Sequence, residues 1–335
     1  MIDMNSVTIV IPTYNNSSTI KECLESLMKQ TKPPEEIIIV DGHSKDTTLD
    51  IVKQYECKIL FEEGGSRAAA CNVGVPAAEG DFIVFIDADA IAKEDWLEKL
   101  IAAFYEEHGR EVVCTTGPNI EYPNESLFGK AVSAVYNTFV GGNWTEHIKS
   151  IFNRENRYVQ SAAGCNAAYK KDKLDEVMPF NEDLITAEDT EINYKLIQKG
   201  YSIYFEPNAV VYHQRPQTHK AYRNKAKKYA RGKVQFFRAH RAGLDLGHIL
   251  PPLYFITGIF FLLALLANYW VALGIAGYFG VYLFTILFVS LIQTIRYKKW
   301  QFLYLLPIMF FEGHIWWSLG ILQEIFLPKK KKESK

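Results

Sequence analysis

Short β-branched runs alternate with helical stretches through the first part of the chain, and that alternation limits the fold more than any other feature. Val7 to Ile11 is one such run, stopped by Pro12 and the polar cluster Thr13-Tyr14-Asn15-Asn16-Ser17-Ser18. Ile20, Leu24, Leu27 and Met28 then recur at helical spacing until Pro33-Pro34. Ile37 to Val40 reads as a buried strand ending in Asp41-Gly42, Thr47 to Tyr55 as helix, Lys58 to Phe61 as strand, and Ser66 to Ala78 as helix. Asp95 to Glu107 and Val112 to Thr116 repeat the pattern. Strands separated by helices of about ten residues make βαβ units, so the spacing predicts an α/β fold with a mostly parallel sheet flanked by helices.

Gly80-Asp81 leads into the apolar run Phe82 to Ile86, which ends abruptly in Asp87-Ala88-Asp89. In an open α/β sheet, ligands bind beyond the carboxyl ends of the strands. Two carboxylates there can converge on a hard divalent cation, Mn²⁺ or Mg²⁺, which usually shares its oxygen ligands with substrate phosphates. A solvated strand-to-turn junction is the alternative, because Asp is common in turns.

Residues 120 to 158 lose the alternation and read as an irregular or helical insertion. The pattern returns at Gln160 to Lys170. Glu188-Asp189 then opens a helix that runs to Lys199 and is closed by Gly200. Strands at Tyr201 to Phe205 and Ala209 to Tyr212 follow, ending at His213. Acids at a helix start complement its dipole. A transferase acting on a hydroxyl also needs a general base there. Neither G-x-x-x-x-G-K-[ST] nor a G-x-G-x-x-G after the first strand is present, which disfavours ATPases, kinases and nicotinamide enzymes. Five cysteines without a C-x-x-C pair argue against a disulfide framework or zinc site and suit a reducing compartment. A net charge of −1 says nothing about partners.

Lys220 to Arg241 holds nine Lys or Arg and no acid. Tyr222, Tyr229 and Phe236 fall near one helical face, which suits a helix in a membrane interface over anionic lipid. A solvated charged helix or a nucleic-acid arm is the alternative, but the apolar tract that follows favours the membrane, and no nucleic-acid partner is expected. Leu250 to Asn268 and Trp270 to Gln293 are each long enough to cross a bilayer of roughly 30 Å. Phe302 to Phe326 is a third candidate, interrupted by Pro307, Glu312 and His314. Three full spans would place the tail Lys329 to Lys332 opposite the other basic flanks, against the positive-inside tendency. The N-terminus lacks a basic-then-apolar leader, so an integral membrane protein with its soluble part on the cytoplasmic side is expected. The expected domains are 1–215 (soluble), 216–248 (basic, juxtamembrane), 249–327 (two spans and a third) and 328–335 (basic tail).

The ordered set of motifs resembles family 2 glycosyltransferases of the GT-A fold. It comprises Val10-Ile11-Pro12-Thr13-Tyr14-Asn15, Ile39-Val40-Asp41-Gly42 through Asp46, Gly80-Asp81 through Asp87-Ala88-Asp89, Gly164 through Lys170, Glu188-Asp189 and Gly200. The resemblance implies that the loop Pro12, Thr13, Tyr14 and Asn15, with Asp41, holds the nucleotide. It implies that Asp87, Ala88 and Asp89 face the metal and diphosphate, and that Asp189, paired with Glu188, is the general base. The implied reaction is inverting transfer from a UDP- or GDP-linked sugar. The membrane segment suggests a lipid-linked acceptor, a polyprenyl or dolichyl phosphate or a lipid-linked saccharide.

The family often has a second acid where Gly42 stands. It often has Ala-Arg-Asn where Ala70-Cys71-Asn72 stands, with Arg67 as the substitute cation beside Asn72. His213 is a further candidate metal or diphosphate ligand. Processive synthases of the family carry Gln-x-x-Arg-Trp, but Ala239 follows Gln235 to Arg238 here, which favours single addition. A processive polysaccharide synthase and a non-catalytic sugar-nucleotide-binding membrane partner are the alternatives.

Overall fold

A computed structural model describes residues 6–142, 157–243 and 246–327. Residues 143–156 of the stretch read as irregular or helical, and the basic tail, lie outside these residues. The chain forms two compact units. One comprises Met1–Pro123 and Lys149–Gln214, and the other Asn124–Ile148 and Arg215–Lys335.

The first unit is built on an eight-stranded sheet in the order β3-β2-β1-β4-β9-β6-β10-β8. Its strands are β1 (Val7–Thr13), β2 (Glu36–Asp41), β3 (Lys58–Phe61), β4 (Phe82–Ile86), β6 (Val112–Thr116), β8 (Arg157–Val159), β9 (Asn166–Lys170) and β10 (Ser202–Phe205). β9 is antiparallel to both β4 and β6, and β8 is antiparallel to β10. The other pairings are parallel, as the alternation predicts. A small second sheet, β5 (Ala90–Ala92), β11 (Val211–His213) and β7 (Asn119–Ile120), sits past the end of β4.

The apolar runs are continuous because both sheet faces are covered. Ile9, Ile11, Val84 and Ile86 pack with Leu24, Leu27, Trp96 and Leu100 on one face. Val10, Val40, Ile83 and Phe85 pack with Ala70, Val75, Ile192 and Leu196 on the other. Fully burying a large apolar side chain contributes about 1.5–3 kcal/mol, so these layers hold the strand ends in fixed register. Asn166, fully buried at the start of β9, locks that corner. It accepts from Trp96 Nε1 at 2.8 Å and donates to the Ala209 carbonyl at 2.9 Å.

The second unit is helical: Leu127–Tyr136, His219–His240, Leu246–Ala267, Tyr269–Tyr297 and Phe302–Phe326. The helix Leu127–Tyr136 groups here, although a boundary near 215 would assign it to the soluble domain. Ala131, Val132 and Val135 are buried with Phe302, Leu306 and Phe310 in one cluster, a long-range contact that local periodicity cannot reveal. Tyr222 and Phe236 differ from the sequence expectation. Both are buried within the unit, and of the three expected interface aromatics only Tyr229 is exposed. Tyr269–Tyr297 and Phe302–Phe326 are long and apolar enough to cross a membrane by length and composition.

Candidate active site

The candidate residues gather at the carboxyl ends of β1, β2 and β4. β1 and β2 run in register, so Thr13 faces Asp41. Fully buried Asp41 accepts from the Ser44 amide at 2.7 Å and the Ser44 hydroxyl at 2.6 Å. Asn15 adopts a left-handed φ of 52°, which Asn tolerates better than most residues. Its amide donates to Ser44 Oγ and its side-chain oxygen accepts from the Lys45 amide. Asp46 accepts from the Thr48 hydroxyl and from the Ser17 amide, stitching the two loops. Pro12 is half-buried, Thr13 is buried, and Tyr14 is 56% exposed, its ring free to meet a planar ligand.

Arg67 joins the two acidic pairs. Ser66 caps its helix, accepting from the Ala69 amide, and the first turn carries the guanidinium beneath the end of β4. Nε donates to Asp87 Oδ1 at 3.3 Å, Nη1 to Glu188 Oε1 at 3.4 Å, and Nη2 to the Gly164 carbonyl at 2.6 Å. A Cβ on Gly164 would lie 2.6 Å from that guanidinium, so a side chain there would have to displace Arg67. Asp189 Oδ2 accepts from the Gly164 amide at 2.9 Å, and Oδ1 from the Thr190 amide at 2.6 Å. Ala187, just before the helix Glu188–Gln198, holds a φ of 74°. That conformation costs a non-glycine residue roughly 1–2 kcal/mol, and such strain clusters at functional sites.

His213 closes the other side. Its Nε2 lies 3.4 Å from Asp87 Oδ2 and 3.6 Å from Asp89 Oδ1, while Nδ1 is 2.9 Å from the Gln214 carbonyl. Ala88 is buried between the two aspartates. Ligand atoms of Asp87, Cys165 and His213 all lie within 4.8 Å of one another.

The charges respond to this packing. Burial alone would raise the Asp87 carboxyl, but the Arg67 guanidinium and His213 outweigh it and hold the group well below the usual range. Burial would also lower His213, yet the carboxylate of Asp89, with Cys165 and Asp87, raises it well above the ordinary value. Glu188 moves the other way: burial first, then Asp189, raises it against the opposing Arg67. Neighbouring carboxyls pushed apart in this way suit different roles in proton handling.

One expected residue stands apart from this cluster, and two unexpected ones join the neighbourhood. Asn72 spends its amide on the loop at Phe180 and Glu182, donating to the Phe180 carbonyl and to Glu182 Oε1. Gly42 faces Glu62, whose Oε1 would lie 2.8 Å from an added Cβ. Buried Glu62 thus puts a second carboxylate beside the Asp41 corner from the end of β3. Cys165 lies inside the Gly164-Cys165-Asn166 motif, but only the fold reveals that its thiol meets His213 and Asp87.

A mostly parallel sheet, reversed at β9, with one acidic pair past the end of β4 and another opening the helix Glu188–Gln198, has the GT-A architecture. Residues 8–178 match Glycosyl transferase family 2, and the chain belongs to that family of glycosyltransferases. It is 28% identical over 337 residues to the dolichyl N-acetyl-alpha-D-glucosaminyl phosphate 3-beta-D-2,3-diacetamido-2,3-dideoxy-beta-D-glucuronosyltransferase of Methanococcus voltae. That match covers 96% of this chain and 97% of the relative, so it includes the apolar C-terminal part. It is 29% identical over 218 residues to glycosyltransferase AglE of Haloferax volcanii, covering 62% of this chain and 66% of AglE. In fold it resembles the mannosyltransferase PcManGT from Pyrobaculum calidifontis, solved with GDP-Man and Mn²⁺. The TM-score is 0.66 at 18% identity, covering 97% of this chain and 88% of that one.

Proposed function

We propose that the protein transfers a sugar, with inversion, from a nucleotide-diphosphate sugar to a lipid-linked acceptor, with its catalytic unit on the cytoplasmic side. The observation that carries this reading is the Arg67 bridge, which ties Asp87 to Glu188 and brings two acidic pairs distant in sequence into one site. The GDP-Man and Mn²⁺ of the structural neighbour and the dolichyl-linked chemistry in the relative's name support the donor, cation and acceptor classes.

The donor set fits a divalent cation, Mn²⁺ or Mg²⁺. His213 turns Nδ1 to the Gln214 carbonyl and Nε2 toward the aspartates. Asp87, Asp89 and His213 would hold the ion, which when bound neutralises charge on the departing diphosphate. The loop Pro12 to Asn15, with Asp41, receives the nucleotide. Asp189 takes the proton of the acceptor hydroxyl while that oxygen bonds the anomeric carbon and the sugar–phosphate bond breaks. The Gly164 amide fixes the orientation of this base, and Arg67 keeps Glu188 and Asp87 in place.

The test is a thermal-shift panel of UDP- and GDP-linked sugars on the full chain in detergent, with Mn²⁺ or EDTA. Transfer is then assayed on a polyprenyl-linked acceptor. A matching donor at about 100 times its Kd adds about 2.7 kcal/mol. Stabilisation that is equal in EDTA contradicts the cation, and donor hydrolysis without acceptor transfer contradicts the lipid acceptor.

A further inference from the structure

The helix Phe302–Phe326 passes the length and composition test for a membrane span, but its neighbour does not. It lies beside His219–His240 along most of its length, and the contacts rise together in residue number. His219 and Arg223 meet Glu312. The Tyr222 hydroxyl donates to the Met309 carbonyl at 3.2 Å. Farther along, Arg231 Nε donates to Glu324 Oε2 at 2.8 Å and Gln235 Nε2 to Oε1 at 3.0 Å. Arg238 donates to the carbonyls of Glu324 and Ile325. A Cβ on Gly320 would lie 2.5 Å from the Lys227 carbonyl, so the backbones touch. The two helices are parallel and share one environment.

That environment cannot be hydrocarbon. Among the described residues, no carboxylate faces Lys220, Lys225, Lys227 or Lys228 on His219–His240. Lys225 and Lys227 meet the rings of Tyr229 and Trp316, and ammonium groups without a carboxylate are strongly disfavoured in a bilayer core. We infer that Phe302–Phe326 lies along the membrane surface with His219–His240, and that the hairpin of Leu246–Ala267 and Tyr269–Tyr297 alone crosses the bilayer.

The hairpin has the features of a span. Its first helix holds 22 residues and its second 29, long enough for a hydrocarbon layer of roughly 30 Å. Asn268 turns the chain between them, accepting from the amides of Trp270 and Val271. Only 17% of the most apolar stretch of Tyr269–Tyr297 is buried in protein, against 39% for Phe302–Phe326. Tyr269 and Trp270, 71% and 75% exposed, mark the turn, and Trp300, 68% exposed, marks the return. Such aromatics sit at the two headgroup levels. On Phe302–Phe326 the exposed apolar residues Tyr304, Ile308 and Phe311 recur at helical spacing, a stripe suited to dipping into the headgroup boundary. Leu327, at the end of this helix, then lies on the same side as His219–His240, in keeping with the positive-inside tendency of the basic sequence that follows.

The inference does not depend on which sugar is transferred. Its test uses the full chain in sealed vesicles of known orientation and a membrane-impermeant, mass-tagged maleimide. Lys220→Cys, Tyr269→Cys and Lys330→Cys are made singly, and each is first shown to add one gel shift in detergent over the native cysteines. The expected result is that Lys220→Cys and Lys330→Cys gain their shift from one side and Tyr269→Cys from the other. Labelling of Lys330→Cys from the side that labels Tyr269→Cys overturns the inference, as does labelling of all three from one side.

Discussion

Buried and half-buried carboxylates serve opposite purposes in the two units. In the first, Asp87, Asp89, Glu188 and Asp189 share two bases, Arg67 and His213. Acid exceeds base, and on the proposed reading the surplus would face a cation and a diphosphate. In the second, base exceeds acid. Glu324 is 2% exposed and held by both Arg231 and Gln235, and Glu312 by His219 and Arg223. A carboxylate with both oxygens paired joins helices, whereas the unbalanced set is the one proposed to take a ligand.

The contrast breaks most visibly in the first unit. Asp89→Ala should reduce transfer to background and abolish cation-dependent donor binding, and EDTA should do the same to the wild type. Both are read by radiolabelled transfer and calorimetry. Glu324→Leu should leave donor affinity unchanged but destabilise the second unit by about 3 kcal/mol, the scale of breaking a buried pair by removing one partner. The combined change with Arg231→Leu should recover most of that loss in thermal unfolding. If Glu324→Leu unfolds like the wild type, the joining role fails.

The smallest effect concerns Asp46, an exposed acid on the loop after β2. The Thr48 hydroxyl, followed by bonds from Ser17, holds its carboxyl at about 2, below the ordinary 3.8. Stability from this group is therefore fully present above about pH 4 and is lost as pH falls toward 2. Asp46→Asn should lower the melting temperature slightly at pH 7, and its difference from wild type should shrink across that acidic window.

The strand run was legible because its apolar residues are buried on both faces, so composition and length alone mark β1, β2 and β4. Helix ends were less so: Thr47 to Tyr55 becomes Thr48–Val52, and Asp95 to Glu107 becomes Trp96–Ala102 followed by a short tight turn. The acidic pairs and His213 could be named from their positions at strand and helix ends. Cys165 and Glu62 could not, because their roles come from contacts between segments far apart in the chain. The same limit explains Tyr222 and Phe236. Periodicity shows that a helix face is apolar, but the fold decides whether lipid or another helix covers it.

In the proposed mechanism two acidic pairs form one site with divided roles, the donor side at Asp87 and Asp89 and the base at Asp189. Asp189→Asn tests it most directly, with donor affinity measured by calorimetry and turnover measured at saturating donor. The expected result is a donor Kd close to wild type and a turnover lower by about 10² or more, the scale of lost general-base catalysis. Collapse of donor binding with turnover preserved at saturation would contradict it.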